Sequence, residues 1–400
     1  MCGIKQSQRY CLCMMVLCLL APELITDLWN PFGKISKIVR GIAAITSLVL
    51  LLKDMKIGKQ ARILSLYIVF IGLITIVKNP SVANISRYIA KYADILSVFV
   101  LTSYLFERDI NKFLKFLFVI SWIGIVINTL TVLYFPLGVL RHVGETGYAS
   151  AAFFYDYDNH FIFKYVPSLI IIYAYEKYYL QKKHGGLLTA IAIGLCVFTL
   201  FYRHSIASAF ALGAALVFYL LKNVMPDWLL SSGRIWLGYI IVSLILVAFG
   251  ATGILNKMVL AVGKDASLFV RMRMWTLSLS AIAQAPLTGS GVLNSSIMRD
   301  TYAYAQLHNS LLNILLWSGL FGLFIYSGFM ASLFPKPWNS SSREDYVFIC
   351  GLFIALLITS LFDGVELNQN VYLFYAIVSK YACILQYHNE TASNKLFLPK

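Results

Sequence analysis

Long apolar runs recur along the whole 400-residue chain, and they limit the folds that are open to it. A helix needs about 20 predominantly apolar residues to cross the hydrocarbon core of a bilayer, which is roughly 30 Å thick. Hydrophobic residues make up 59% of the chain and charged residues only 13%, a composition more apolar than that of ordinary soluble domains. The sequence therefore predicts an all-α, polytopic integral membrane protein.

The apolar runs predict about twelve transmembrane helices in a single membrane domain that comprises residues 1–400. The predicted spans lie near residues 10–28, 38–52, 63–77, 88–106, 113–135, 162–175, 187–202, 205–221, 235–255, 309–334, 346–362 and 371–386. The first run follows Lys5 and Arg9 without a small-residue cleavage site, so we interpret it as an uncleaved helix. One large external loop, roughly 256–306, is expected between the ninth and tenth spans.

Lysine and arginine are more frequent at the N-terminus, in the even-numbered loops and at the C-terminus than in the odd-numbered loops. The positive-inside rule then predicts cytoplasmic termini and an external 256–306 loop, which in a Gram-negative cell faces the periplasm. The net charge of +15 is scattered over short loops, so the expected partners are membrane lipids and not nucleic acid. The seven cysteines are odd in number and form no Cys-x-x-Cys pair, which argues against a disulfide framework or a zinc site.

The most informative segment for function is Leu307–Leu323, in which His308 and Asn309 stand at the start of an apolar helix that carries Gly319 and Gly322. A histidine titrates near neutral pH and can act as a general base, and an amide can donate to and accept from a substrate. The alternative is that His308 only anchors the helix at the membrane interface.

The external loop contains a segment with helical spacing of apolar residues, between a possible N-cap at Ser267 and a stop at Pro286. An amphipathic helix on the membrane surface is expected there. Arg271 and Arg273 emerge near its start; they either extend to lipid head groups or bind substrate, with Arg271 as a clamp on phosphate. The backbone at 289–291, Gly-Ser-Gly, forms either a plain turn or an anion-binding nest.

Charged residues crowd the loop before the sixth span, where Arg141 and His160 flank Asp156 and Asp158. Asp156-Tyr157-Asp158 resembles the Asp-x-Asp signature of glycosyltransferases, so the two carboxylates either bind a divalent metal or belong to a solvated turn.

Three further polar positions interrupt predicted spans or follow them. Arg203 stands between the seventh and eighth spans, either at the head groups or in a cavity. Lys91 and Asp94 lie three residues apart within the fourth span and are interpreted as a pair that neutralises itself. Asp363, with Glu366, follows the eleventh span and is either solvated or part of a positive pocket.

The order of these residues resembles the O-antigen ligase and polymerase family of bacterial inner-membrane glycosyltransferases. The motifs that carry the resemblance are Arg203, Arg271 four residues before Trp275, Pro286-Leu287-Thr288-Gly289, and His308-Asn309 followed by Gly319 and Gly322. It is expected to extend over roughly residues 140–385. The resemblance implies a helical bundle with a large periplasmic loop and a donor glycan on undecaprenyl diphosphate.

The chemistry expected of these residues agrees with that implied activity. Negative charge develops on the diphosphate as the sugar leaves, and Arg203 and Arg271, with Arg141 as a looser third, can stabilise it without a metal or other cofactor. His308 is the expected base that removes the proton of the acceptor hydroxyl. Further candidates for substrate binding are Arg273, Asn309, Asp156, Asp158 and Asp363.

Two acceptors are compatible with this family. A ligase transfers O-polysaccharide to lipid A-core, whereas an O-antigen or capsule polymerase transfers it to a lipid-linked repeat unit. The segments 360–370 and 155–160 resemble enterobacterial ligases, which favours the ligase. A transporter or flippase fits the number of spans, but not the long external loop or the lack of paired halves.

Overall fold

The computed structural model describes residues 6–53, 58–143, 149–157, 160–180, 186–251, 266–302, 307–334 and 343–385. Helices dominate this structure. They are α1 (Gln6–Leu20), α2 (Glu23–Leu28), α3 (Asn30–Lys53), α4 (Lys59–Lys78), α5 (Val82–Arg108), α6 (Ile110–Tyr134), α7 (Phe161–Ala174), α8 (Leu187–Tyr202), α9 (Ile206–Leu220), α10 (Ser232–Ala251), α11 (Ala266–Gln284), α12 (Ser295–Tyr302), α13 (Ser310–Ser332), α14 (Arg343–Ser360) and α15 (Gln369–Ser379). A π-helical turn, Tyr175–Tyr179, follows α7 directly.

Six of the described helices are long and apolar enough to cross a membrane, namely α3, α4, α5, α6, α10 and α13. The helices α8 and α9 are equally apolar but shorter. The prediction of an all-α membrane protein is confirmed, whereas the number of about twelve spans is not. The first predicted span is divided at Pro22, which has no N–H to donate and begins α2. The last one is a helix of only 11 residues, Gln369–Ser379.

A short antiparallel hairpin departs from the all-helical prediction. Its strands are β1 (Leu140–Val143) and β2 (Ala149–Ala152), with Arg141 paired to Ala151 and His142 to Ser150. Four-residue strands of mixed polarity give little periodic signal, so the sequence did not reveal the hairpin. It lies in the predicted loop between α6 and α7 and joins the end of one helix to the beginning of the next.

Contacts between loops group these loops at two opposite ends of the helical bundle. At one end, six ion pairs among the described residues join the N-terminus, the even-numbered loops and the C-terminal segment. The pairs are Arg9–Asp109, Lys177–Glu344, Lys177–Asp345, Lys222–Glu344, Arg343–Asp227 and Lys380–Glu107. The odd-numbered loops meet at the other end, which we call the site end because His308 lies there.

One predicted ion pair is wrong. Lys91 and Asp94 do not form a self-contained pair, because the Asp94 carboxylate binds the guanidinium of Arg40 in α3 at 3.1 Å. Lys91 instead lines a cavity at the site end. A spacing of three residues places two side chains on one helix face, but it cannot show that a third residue from another helix competes for the same carboxylate.

Helix α13 is interrupted inside the bundle at Gly319, whose φ of 60° and ψ of −162° are not helical. The segment 286–291 fills the break: Ser290 N–H donates to Leu316 O at 2.7 Å, and Leu320 N–H donates to Pro286 O at 2.9 Å. A Cβ on Gly319 would lie 2.4 Å from the carbonyl carbon of Leu287, so only glycine fits there. The break holds a segment of the external loop against the beginning of α13.

The glycines at 289 and 291 take part in this packing and do not form the anion-binding nest that the sequence left open. Gly289 N–H donates to Ala285 O at 2.8 Å and Gly291 N–H donates to Trp317 O at 3.0 Å. These N–H groups are therefore bonded within the protein. Both glycines have positive φ, 71° and 76°, which explains the Gly-Ser-Gly sequence without a ligand.

Candidate active site

His308 precedes α13 in a strained and firmly held position. Its φ is 49°, and among the described residues other than glycine only His204 shares a positive φ. The next residue, Asn309, is fully buried and caps the helix by accepting the Leu312 N–H at 3.1 Å. The Asn309 amide also donates to Ser243 and to the Leu361 carbonyl. Strained backbone that its surroundings hold in place is a recurring feature of functional sites.

This arrangement changes the role expected of Asn309. Sequence reasoning placed its amide on the substrate, but the cap and the bonds to Ser243 and Leu361 already occupy its oxygen and its nitrogen. Asn309 therefore fixes the backbone that carries His308, and its amide is not proposed to contact the substrate.

Four side chains form a continuous hydrogen-bonded chain at the site end. His308 Nδ1 lies 3.2 Å from Asp363 Oδ1, and the other carboxylate oxygen of Asp363 lies 3.2 Å from His160 Nε2. His160 Nδ1 in turn lies 2.9 Å from Asp156 Oδ2. The series is thus His308–Asp363–His160–Asp156, which we call the His–Asp relay. It joins three parts of the chain that are up to 207 residues apart in sequence, from Asp156 to Asp363.

Burial and charge together set the protonation of this relay. Burial alone would lower the pKa of His160, but its hydrogen bonds to Asp156 and Asp363, together with their charges, hold that pKa well above its ordinary value. Burial alone would likewise raise the pKa of Asp363, but the hydrogen bonds from His160 and His308 hold it well below its ordinary range. At neutral pH, Asp363 is therefore a carboxylate and His160 is an imidazolium.

His308 is hydrogen-bonded to the Asp363 carboxylate and is also accessible from outside the protein. Its side chain is 18% exposed, whereas Asp363 behind it is 10% exposed. With Nδ1 donating to the carboxylate, Nε2 is the basic nitrogen of the neutral ring. A histidine held in one tautomer by a buried carboxylate is the arrangement that general bases use in enzymes.

Arg203 lies next to the relay, on the side of the β-hairpin. It follows α8, donates from Nη1 to Pro136 O at 2.7 Å, and its guanidinium lies 4.6 Å from the centre of the Phe153 ring. The Phe153 N–H donates to Asp156 O at 2.9 Å, so one residue separates the arginine from the relay. Arg203 is half-buried and its hydrogen bond to Pro136 is exposed, so both positions that the sequence allowed for Arg203, at the head groups or in a cavity, stay open.

Arg271 belongs to helix α11, which contacts the backbone next to His308 through Trp275. Helix α11 starts at Ala266 and not after Ser267, and its face of Met272, Trp275 and Ser278 is buried against α10 and α13. Trp275 Nε1 donates to Leu307 O at 3.2 Å, and the half-buried Arg271 precedes Trp275 by one turn on the same face. Arg273 is exposed.

The other predicted site residues are Asp156, Asp158 and Arg141. Asp156 pairs with His160 and also accepts the Tyr157 N–H at 2.7 Å, so its carboxylate belongs to the relay. Asp158 lies outside the described residues, and so does the side chain of Arg141, whose backbone forms part of β1. The described part of the chain contains no group of three or more possible metal ligands among His, Cys, Asp and Glu.

Two residues of the site, His160 and Glu366, were noted in the sequence without an assigned role. His160 follows Asp156 by four residues immediately before α7, a spacing that brings two side chains together once the segment turns helical. Glu366 is 2% exposed, and the polar side chains next to its carboxylate are those of Ser310 and Asn313. Burial raises the pKa of Glu366 to about 7. Nothing in the sequence around it predicts this burial.

Residues 188–327 match the model of the family described as O-antigen ligase. No curated protein matches the chain. The match is shorter than the range of 140–385 expected from the motifs, so His160 and Asp363 lie outside it. The resemblance to the O-antigen ligase family is nevertheless confirmed, on the part of the chain that carries Arg203, Arg271 and His308.

Proposed function

We propose that the protein is an O-antigen ligase that transfers O-polysaccharide from undecaprenyl diphosphate to lipid A-core. The observation that carries this proposal is the carboxylate-held His308 of the His–Asp relay. Arg203 contacts Phe153, which bonds to the Asp156 end of the relay, and Arg271 lies one turn before Trp275, which donates to the carbonyl of Leu307. A general base together with two permanent cations is suited to a reaction in which a hydroxyl attacks and a diphosphate leaves.

In the proposed reaction, His308 Nε2 accepts the proton of an acceptor hydroxyl while the hydroxyl oxygen attacks the anomeric carbon of the donor sugar. The bond between that carbon and the diphosphate oxygen breaks, and the electron pair leaves with undecaprenyl diphosphate. Attack from the face opposite the leaving group inverts the anomeric configuration. Asp363 holds the His308 ring in one tautomer and stabilises the imidazolium that forms.

Arg203 and Arg271 are assigned to the departing diphosphate. A guanidinium keeps its charge at any physiological pH and can donate two parallel hydrogen bonds to phosphate oxygens. Arg203 follows α8 and Arg271 belongs to α11, and the two permanent charges are assigned to the diphosphate without a metal ion. Arg273 and Arg141 are assigned to more distant parts of the saccharides.

The site end is proposed to face the periplasm, in a multi-pass protein of the bacterial inner membrane with cytoplasmic termini. The distribution of lysine and arginine supports this orientation. The undecaprenyl tail of the donor and the acyl chains of lipid A can then stay in the membrane while their polar groups meet at His308.

Deletion of the gene followed by gel analysis of lipopolysaccharide tests the acceptor. A ligase mutant accumulates lipid-linked polymer and has lipid A-core without O-antigen. Core that carries a single repeat unit would instead assign the protein as a polymerase and refute the ligase.

A second experiment tests the role of His308 in the purified protein. His308→Ala should bind the lipid-linked donor normally but transfer its glycan roughly a hundredfold more slowly or worse, because the base is gone. Glu107→Gln is a suitable control, since Glu107 pairs with Lys380 at the opposite end of the bundle. Near-normal transfer by His308→Ala would reduce His308 to a helix anchor.

A further inference from the structure

The carboxylate of Asp363 has two oxygens, and a different histidine lies at each of them. Oδ1 lies 3.2 Å from His308 Nδ1 and also accepts the Gly364 N–H at 2.8 Å. Oδ2 lies 3.2 Å from His160 Nε2. The proposed reaction uses the oxygen that faces His308, whereas His160 bonds to the opposite oxygen of the same group.

The His160 ring is itself held at its other nitrogen. Nδ1 lies 2.9 Å from Asp156 Oδ2, and the ring packs against the rings of Tyr157 and Phe163, with centroids 5.9 Å and 5.6 Å away. A ring that faces a carboxylate oxygen at both nitrogens donates at both, as only an imidazolium can. His160 therefore offers Asp363 a charge-assisted hydrogen bond from a fixed direction.

The bond from His160 limits how the Asp363 carboxylate can turn. The terminal torsion of an aspartate has broad preferences, so the backbone alone does not aim its oxygens. With Oδ2 bonded to His160, rotation of the carboxylate is restricted and Oδ1 stays directed at His308 Nδ1. A reacting group that is misplaced by about 1 Å can lose roughly a hundredfold in rate, so this restriction matters for a general base.

The two ring nitrogens of His160 serve different parts of the structure. Nδ1 bonds to Asp156 within the same segment, four residues earlier, whereas Nε2 reaches Asp363 in the segment that follows α14. The bond at Nε2 also ties the start of α7 to that segment. A tie without further function would contribute to stability and leave the ring of His308 unchanged, whereas a positioning role would change that ring.

We propose that His160 is a positioning residue for glycosyl transfer, which acts through Asp363 to hold the His308 ring with Nδ1 protonated and Nε2 as the basic nitrogen. The effect on transfer rests on the proposed function, whereas the effect on the His308 ring does not. Asp156 supports His160 from the far end of the relay. His160 itself is not proposed to touch the substrate.

The first experiment compares two amide variants of His160 in transfer assays with the purified protein. The amide of His160→Gln lies near the position of Nε2 and keeps a donor for Asp363, whereas that of His160→Asn lies near Nδ1 and keeps a donor for Asp156 alone. His160→Asn should lower kcat about tenfold to a hundredfold with unchanged KM for donor and acceptor, and His160→Gln should retain most of kcat. Any other order of the two variants, equal loss included, would overturn the proposal, and so would a change confined to KM.

A double variant tests whether His160 acts through Asp363. Mutations that remove two parts of one unit are not additive, so His160→Asn should cost nothing further once Asp363→Asn is present. The double variant should therefore transfer glycan at the rate of Asp363→Asn alone. A further tenfold loss in the double variant would show that His160 has a role independent of Asp363 and would refute the proposed path.

The second experiment observes the His308 ring directly, by NMR of protein with isotopically labelled histidine. The His308 signals are those that disappear in His308→Ala. At a pH where this ring is neutral, the parent and His160→Gln should carry the proton on Nδ1, and His160→Asn should show a mixture of both tautomers.

The same single tautomer in all three proteins would overturn the proposal. The spectra need no substrate, so they give an answer even if the protein proves not to transfer O-antigen. Conversely, full transfer by His160→Asn together with an inactive His308→Ala would refute the role of His160 and leave the proposed function intact.

Discussion

Replacing Glu366 with glutamine should stabilise the protein at pH 8 and have much less effect at pH 5. Burial raises the pKa of this carboxyl from 4.5 to about 7, so the folded protein holds the proton more tightly than the unfolded chain does. The contribution of Glu366 to the free energy of unfolding therefore falls as the pH rises from about 4.5 to about 7, and this contribution is constant above that range. Glutamine carries no proton to lose, and this dependence disappears in the variant.

The size of the effect follows from the change in pKa. One pKa unit corresponds to about 1.4 kcal/mol, so the difference between 4.5 and about 7 amounts to about 3 kcal/mol of lost stability at pH 8. Most of that loss, roughly 2 to 3 kcal/mol, develops between pH 5 and pH 8. Comparing the variant with the parent at both pH values cancels any change in packing that the amide itself introduces.

Thermal unfolding of the purified protein in detergent measures this difference. The Tm of the parent should fall between pH 5 and pH 8 more than that of Glu366→Gln. In Glu107→Gln the parent's dependence should persist, because that carboxylate pairs with Lys380 at the opposite end and Glu366 is intact. Parallel Tm curves for the parent and Glu366→Gln would refute the reasoning and show that Glu366 is ionised at little cost.

Three other substitutions test the site and the fold. Asp363→Asn should reduce transfer roughly a hundredfold or more without loss of donor binding, because His308 is no longer held as a base; normal rates in the transfer assay would contradict this. Arg271→Lys should lose most transfer activity, because an ammonium cannot make the bidentate contact, whereas Arg273→Lys, at an exposed position, should keep that activity. Transfer that is abolished by EDTA and restored by magnesium would instead place a metal in the mechanism. Gly319→Ala should lower stability by at least about 2 kcal/mol, because a side chain at positive φ is strained and would contact Leu287. Gly328→Ala in the same helix is the control, since a Cβ there contacts nothing. Similar Tm values for the two variants would contradict the close packing at the break.

Sequence periodicity predicts individual helices of this protein well. The predicted span at 187–202 coincides with α8, and the span at 309–334 differs from α13 by one or two residues at each end. Apolar length is a property of the local sequence, so it can be read without the fold. The division at Pro22 and the break at Gly319 depend on packing around them, and no span prediction included them.

The candidate site was predictable one residue at a time. His308 and Arg271 were identified because a polar residue next to an apolar helix is unusual, and the same reasoning noted Asp363. The relay could not be predicted, because it requires that residues 160, 308 and 363 meet in space. Burial could not be predicted either, because nothing in the sequence distinguishes the buried Glu366 from a solvated glutamate.

The break in α13 also constrains the order of events during membrane insertion. The segment 286–291 emerges from the ribosome before Gly319 does, and it must leave the translocation channel on the side of the site end. Until that segment docks, the carbonyl groups of Leu316 and Trp317 lack the partners that they have in the mature fold. Unbonded backbone groups are costly in hydrocarbon, so α13 becomes stable in the bilayer only after the preceding loop has folded back onto it. We therefore expect the break at Gly319 to form only after the 286–291 segment has reached the site end.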